Sequence, residues 1–340
     1  MNNIKKPYKF KKYSLNEQSD FQSFLGTLSC DGYLIFKELS RDTVGRSNSN
    51  PTWGYVYEYV DGELDFKGIG LHKEYDYDFP YAAYAEKVWS IIGQSVLNNV
   101  RIPNISVVEE LPGFAEIISY RLMDNDKEDL IHMKDILFNK FFRNEIQEKK
   151  DIFDIQDILD CVKLQVKDEE NYKIIEESIM QALLLDSITN NGDRHTHNWA
   201  LIRNKLTNYY DLALFDHSSS FVDMFQEQRH FTVNGWVSSY ITFDNKSKLK
   251  TALGESGNVI VNNIYKKYPK YFNNFITNFN KEFDNFCNQI YNENLDINMN
   301  FFLKRLKDKK NFLDKLQTKG EKEYEQPNSR LLFLYCLGRY

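Results

Sequence analysis

The sequence predicts an α+β chain in two lobes, a β-rich N-terminal lobe with one helix and a mostly helical C-terminal lobe. Two observations carry this. Between residues 31 and 122, short runs rich in Val, Ile, Tyr and Phe alternate with turn residues and are interrupted once by a longer apolar run at helical spacing. After Met123 the pattern changes to long segments of helical periodicity, broken near residues 198–216. A length of 340 residues suits two such units. The expected division is an N-terminal extension at 1–30, the β-rich lobe at 31–122 and the helical lobe at 123–340.

The elements follow in order. Residues 1–30 read as a polar lead-in. "GYLIFKEL" (32–39) reads as a strand, and "SRDTVGRSNSNPTWG" (40–54) as a loop of small and polar residues. "YVYEYV", the turn Asp61-Gly62 and "ELDFKGIGL" carry a hairpin signature, since Asp-Gly fits the tight turn between alternating strands. Pro80 opens the helical run "PYAAYAEKVWSIIGQSVL". "ISVVEEL" and "GFAEIISYRL" read as strands about Pro112-Gly113, and "MDNDKEDL" as a charged linker. "HMKDILFNKFF", "IQDILDCVKLQV" and "NYKIIEESIMQALLLDSIT" read as helices. "HNWALIRNKLTNYYDLALFD" reads as two short strands around a turn, and roughly 245–315 is helical again.

Composition narrows the class. A hydrophobic fraction of 42% with 15% aromatics supports a sizeable core. The net charge of −6 does not favour a nucleic-acid backbone, so no nucleic-acid partner is expected. Cys30, Cys161, Cys287 and Cys336 are far apart and lack metal-ligand spacing. The basic N-terminus is not followed by an apolar signal segment, and no run approaches the roughly 20 apolar residues that span a bilayer. The expectation is a soluble, reduced, cytoplasmic protein without a membrane partner.

The chemistry concentrates in "NNGDRHTHNWALI". Asp193 follows a buried helix and precedes a strand, where a carboxylate can orient an attacking hydroxyl and take its proton. Asn198, five residues on, can offer a carbonyl oxygen to Mg²⁺. Asp216, at the end of the next strand, can offer a charged oxygen to the same ion, which takes few hard ligands from protein. His195 reads as a residue that orients the loop backbone.

The N-terminal part supplies what such a site lacks. The stretch Gly45, Arg46, Ser47, Asn48 and Ser49 has small residues that let backbone N–H groups approach phosphates. Lys67 on the returning hairpin strand can reach those phosphates, and Glu86 on the next helix can hold it as an ion pair. Lys37 competes with Lys67 for this part. Each has an ordinary alternative: a solvent-facing lysine, a solvated helix face, a polar turn. The serines at Ser47, Ser49 and Ser218 to Ser220 read as ordinary loop serines.

On "LLLDSITNNGDRHTHNWALI" and "YDLALFDHSSSF" the chain resembles the HipA-like branch of the protein-kinase-like fold, and within it the compact bacterial kinases of the CtkA type. In that family a D-R-H-x-x-N loop replaces the H-R-D order, matched here by Asp193, Arg194, His195 and Asn198. The metal segment departs from the family's pattern at Leu214-Phe215, where a proline is usual, and Asp216 is expected to keep its place. The phosphate loop lacks a GxGxxG. The resemblance implies a bilobal protein-kinase-like fold with ATP and Mg²⁺ as cofactors, Met123 among the nucleotide-binding residues, and a serine/threonine protein kinase that also phosphorylates itself. It implies a protein substrate, whose identity it does not give, and permits an antitoxin-type partner or delivery to a host cell.

Three rival readings stand beside it. Phosphoinositide and small-molecule kinases use the same loop, although "HSSSFVDMFQEQRHF" lacks the lysine cluster that an anionic membrane calls for. A metallohydrolase could use His195, His197 and His217. A kinase-like binding module without turnover would keep the fold alone.

Overall fold

A computed structural model describes residues 8–14, 20–28, 32–40, 51–75, 81–109, 114–141, 153–225, 241–243 and 257–325. Six strands of the N-terminal part close into a barrel in the order β1 (Tyr8–Tyr13), β2 (Tyr33–Ser40), β3 (Thr52–Val60), β4 (Glu63–Lys73), β7 (Ala115–Tyr120) and β6 (Ile105–Glu109). A short helix, α1 (Phe21–Leu25), lies between β1 and β2. Residues 8–13, expected within a polar lead-in, thus form a strand that runs parallel to both β2 and β6. Phe10 explains why it belongs there. Its ring fills the barrel with Leu34, Phe36, Val56, Val108 and Ile118, and stacks on His72 at 4.9 Å. Gly54 and Gly70 pair across β3 and β4 and make room for these side chains. A Cβ on Gly54 would lie 2.4 Å from Phe36, and one on Gly70 2.5 Å from Ile118.

The β3–β4 hairpin turns at Asp61-Gly62, both with positive φ (53° and 80°), as a tight hairpin turn requires. Farther along, Val56 pairs with Gly68 while Tyr57 pairs with Phe66, leaving Lys67 as the extra residue of a β-bulge. Gly68, at φ 137°, absorbs the distortion.

Helix α2 (Ala82–Val96) is buried on almost every side because it is wedged between β6, β7 and the long helix α8 (Pro269–Asn292). Beyond it, β5 (Val100–Arg101), β11 (Tyr210–Leu214), β10 (Trp199–Asn204) and β8 (Glu128–His132) form a second sheet in that order. Part of the expected charged linker is therefore the strand β8. Its acids are paired rather than solvated: Asp129 with Arg203 across the sheet, and Glu128 with Arg101. The Pro112-Gly113 turn lies outside the described residues.

The rest is mostly helical. It comprises α3 (Met133–Phe141), the short β9 (Phe153–Asp154), α4 (Ile155–Val166), α5 (Glu169–Thr189), α6 (Val222–Phe225), β12 (Ile241–Thr242), α7 (Gly257–Lys267), α8 and α9 (Met299–Glu325). Helix α5 starts at Asp168, whose side chain caps the Asn171 N–H, and every residue from Ser178 to Thr189 is buried. Asn190, in the left-handed conformation at φ 55°, ends it and releases the chain into the loop that bears Asp193. No described helix is long and apolar enough to cross a membrane.

Candidate functional site

The last residue of β4 is Lys73. This end of β4 pairs with β7 as well as β3, Lys73 lying opposite Ile117, so the lysine is held by a strand bonded on both sides. Alternation sends His72 into the barrel and Lys73 out of it, towards α2. Its Nζ lies 3.0 Å from Glu86 Oε1 and 3.3 Å from Asp216 Oδ1. Glu86 is only 1% exposed but fully engaged. Oε1 also accepts from the Tyr75 hydroxyl (3.0 Å), and Oε2 accepts from the backbone N–H of His217 (3.0 Å). Burial works against the Lys73 ammonium, but the charges of Glu86 and Asp216 outweigh it and hold its pKa above the ordinary lysine value. Burial likewise opposes the Asp216 carboxylate, and Lys73 overcomes it, leaving that pKa below the usual carboxylate value.

The β10–β11 hairpin brings the rest together. Trp199 pairs with Leu214, and one step further the Phe215 N–H donates to the Asn198 carbonyl at 3.2 Å. Asn198, just before β10, and Asp216, just after Phe215, therefore flank the open end of the hairpin. The Asn198 amide NH₂ donates to the Asp193 carbonyl at 2.8 Å, which leaves its side-chain oxygen free of that contact. The turn is tied by His195 N–H to Asp193 O (2.8 Å) and Asn198 N–H to His195 O (3.0 Å). His197 N–H donates to His195 Nδ1 at 3.2 Å, so the proton of a neutral His195 ring is on Nε2, which lies 3.8 Å from Asp193 Oδ2. The side chains of Asp193 and Asp216 keep 40% and 39% exposure, enough to meet a ligand from solvent. Asp216 has φ 59°, a left-handed backbone uncommon among non-glycine residues and best tolerated by Asp and Asn.

Behind these groups is a buried network. Arg194, 1% exposed, binds both carboxylate oxygens of Asp186 on α5, at 2.7 Å from Nε and 2.9 Å from Nη2. Its Nη1 donates to the carbonyls of Asn198 (2.7 Å) and Phe215 (3.1 Å). Its Nη2 also meets His217 Nδ1 at 2.7 Å. The His217 ring lies flat on Trp89 of α2, with centroids 3.4 Å apart and planes 7° apart. Burial, then the positive Arg194, keeps His217 neutral by driving its pKa well below the usual histidine value.

Of the residues singled out from sequence, Asp193, His195, Asn198, Asp216 and Glu86 lie around this centre. Lys67 does not. It stands on the bulge near the hairpin tip, bound to Glu58 and Asp65 at 2.7 Å each, and the lysine beside Glu86 is Lys73. Lys37 is elsewhere too, its ammonium 4.5 Å above the Phe21 ring. The sequence held a signal for Lys73. A hairpin protrudes near its turn and gains a second neighbouring strand only farther along, so the lysine distant from Asp61-Gly62 is the one built into the sheet. Gly45, Arg46, Ser47, Asn48 and Ser49 lie outside the described residues. Met123 packs with Leu122 and Phe215 on the buried Ala200, Ile202 and Ala213, an apolar patch at the same end of the hairpin. The three histidines do not converge: His195 and His197 are neighbours, while His217 is sealed between Trp89 and Arg194. Among the described residues, no group of three or more His, Cys, Asp and Glu side chains is arranged to hold a metal ion. What Asn198 and Asp216 offer is one amide oxygen and one carboxylate, a small hard-donor set of the kind Mg²⁺ accepts alongside water and phosphate oxygens.

Comparison with solved structures matches this fold. The chain aligns with the crystal structure of the Helicobacter pylori proinflammatory kinase CtkA over 86% of its own length and 98% of that chain, at a TM-score of 0.55 and 14% identity. It aligns with a structure of the Shewanella oneidensis MR-1 toxin–antitoxin system, HipA with HipB and operator DNA, over 83% of its length and 67% of that chain, at 0.50 and 10% identity. No family model and no curated protein matches the sequence. The chain thus has a HipA/CtkA-like, kinase-like fold, and at these identities the likeness is one of fold.

Proposed function

We propose that this protein is an ATP- and magnesium-dependent phosphotransferase that moves the γ-phosphate of ATP to a serine or threonine hydroxyl of a protein, its own included. The observation that carries the reading is Lys73 held between Glu86 and Asp216, beside the loop of Asp193 and Asn198. A buried ammonium fixed by one carboxylate behind it and one beside it is suited to receive an anionic phosphate chain. In this reading the β-rich part, with β1 added to residues 31–122, forms one lobe and residues 123–340 the other.

Each residue then has a task. Lys73 binds phosphate oxygens, and Glu86 keeps it in place. Gly45, Arg46, Ser47, Asn48 and Ser49 are assigned to the phosphates from their small-residue sequence alone, and the patch of Met123, Leu122 and Phe215 seats the purine. Asp193 receives the proton of the attacking hydroxyl, and His195, whose Nε2 stands 3.8 Å from that carboxylate, orients the loop backbone around it. Asn198 and Asp216 would hold Mg²⁺, which neutralises charge on the phosphate oxygens when bound. The lowered pKa of Asp216 keeps its carboxylate ionised for this purpose. An antitoxin-type protein partner and a cytoplasmic location belong to the same proposal, the partner on the strength of the HipB that accompanies HipA.

The test is incubation of the purified protein with radiolabelled ATP and Mg²⁺, alone and with a serine-rich acceptor protein, Asp193→Ala serving as control. Label on protein that depends on Asp193 is expected. ADP formed without labelled protein would mean transfer to water and would overturn the protein-acceptor part of the reading, and the absence of both products would overturn the reading whole.

A further inference from the structure

We infer that Arg194 sets the spacing of the two proposed magnesium-holding groups, Asn198 and Asp216, acting as a rigid buried bracket rather than as a contact for substrate or phosphate. The inference rests on the functional reading above. An arginine next to Asp193 in an exposed-looking loop invites a role in grasping an anion. Its burial and its full set of protein partners exclude that.

The contacts show what it holds. One edge of the guanidinium is fixed to Asp186, and so to the buried helix α5. Asp186 is itself steadied by the Asn191 amide at 2.8 Å. From that anchor, Nη1 reaches the carbonyl of Asn198 and the carbonyl of Phe215, the residue before Asp216. Nη2 reaches the ring of His217, the residue after Asp216. Asp216 is thus bracketed on both sides by groups bound to one side chain, which also binds Asn198 directly. The neighbours of Asp216, itself in the left-handed conformation at φ 59°, are thereby tied to a planar fork. The same bracket extends to α2, since His217 lies on Trp89 and its N–H meets Glu86. A guanidinium has only donors, so His217 Nδ1 accepts and the ring must be neutral. Lysine could not substitute, because one nitrogen cannot span a carboxylate, two carbonyls and an imidazole.

The experiment measures the half-saturating Mg²⁺ in two ways, from the rate of phosphate transfer at saturating ATP and from calorimetric titration of Mg²⁺ into protein holding a non-hydrolysable ATP analogue, for wild type, Arg194→Lys, His217→Phe and His217→Gln, with circular dichroism and melting for each. Mg²⁺ demands near-ideal ligand geometry, so misplaced ligands show first in the metal requirement. Arg194→Lys is expected to raise the half-saturating Mg²⁺ at least tenfold while remaining folded. His217→Phe keeps a ring against Trp89 but removes the acceptor, and is expected to raise it by a smaller factor. His217→Gln restores an acceptor and should lie nearer wild type. A folded Arg194→Lys with wild-type Mg²⁺ dependence overturns the inference. If Arg194→Lys does not fold, His217→Phe decides: a raised Mg²⁺ requirement supports the bracket, and a wild-type one overturns it. A wild type that transfers no phosphate at any Mg²⁺ concentration overturns the functional reading, and the titration then decides the bracket by the same criteria.

Discussion

Lys73 and Glu86 meet in the interior with Nζ 3.0 Å from Oε1, on a strand and a helix that each have packed neighbours on several sides. Because Tyr75 and the His217 N–H also bind Glu86, the carboxylate does not depend on the lysine alone. The charge balance does. This separates the effect of losing Lys73 on stability from its effect on chemistry.

Lys73→Met is expected to abolish phosphate transfer and to destabilise the fold by about 3 kcal/mol, the usual scale for stranding one member of a buried ion pair. The double variant Lys73→Met/Glu86→Gln should recover part of that stability and none of the activity. Lys67→Ala, on an exposed bulge, should stay active and within about 0.5 kcal/mol of wild type. Denaturant melts and a transfer assay on the three variants check this. An inactive Lys67→Ala with an active Lys73→Met would reverse the roles assigned to the two lysines.

Asp193→Ala and Asp216→Ala should fail in different ways. Loss of the proton acceptor lowers turnover by roughly 10²–10⁴-fold and leaves Mg-ATP binding largely intact. Loss of Asp216 leaves the metal only the neutral Asn198 oxygen from this pair, so binding itself should weaken. Calorimetric titration with Mg-ATP beside the transfer assay distinguishes them, and the opposite pattern would exchange the two assignments.

Mg-ATP should raise the melting temperature of the wild type. At about 100 times its dissociation constant, a ligand specific for the folded state adds roughly 2.7 kcal/mol. Asp216→Ala at the same nucleotide concentration should show a smaller shift. Absence of any shift in the wild type at millimolar Mg-ATP would count against nucleotide binding.

Phe10→Ala tests whether β1 belongs to the barrel. A fully buried phenylalanine replaced by alanine costs about 3–5 kcal/mol. The damage should also reach the nucleotide, because Phe10 stacks on His72, the residue beside Lys73. A raised KM for ATP in the folded fraction is expected. A melt indistinguishable from wild type would mean that β1 contributes nothing to the barrel.

The parts of the fold legible in the sequence are those whose signals are local. Asp61-Gly62 marks its hairpin, helical periodicity marks α2 and α5, and the loop at 190–198 is legible because its polar residues sit between a buried helix and a buried strand. What was hidden depends on distant partners. β1 pairs in parallel with strands that no turn connects to it, so its alternating lysines read as a solvated tail. The acids of β8 read as a linker because Arg101 and Arg203, which neutralise them, come from other strands. That Lys73, and neither the expected Lys67 nor its competitor Lys37, meets Glu86 follows from a one-residue bulge and from which part of β4 acquires a second neighbour. Neither shows in a period-two pattern. The roles of Arg194 and His217 were hidden because sequence alone does not tell a buried arginine in a loop from an exposed one.

The separation of the paired charges along the chain orders their assembly during synthesis. Glu86 follows Lys73 by 13 residues, whereas Asp216 lies 143 residues away. All six barrel strands have been made once Tyr120 is added. At roughly 5–20 residues per second, the nascent chain spends roughly another 5–20 s before Asp216 exists. Through that interval Lys73 has its first counterion and not its second, and neither Asp193 nor Asn198 has been made for most of it. On the proposed function, a ribosome-bound chain therefore lacks the full set of the site's carboxylates and cannot transfer phosphate before Asp216 has been added.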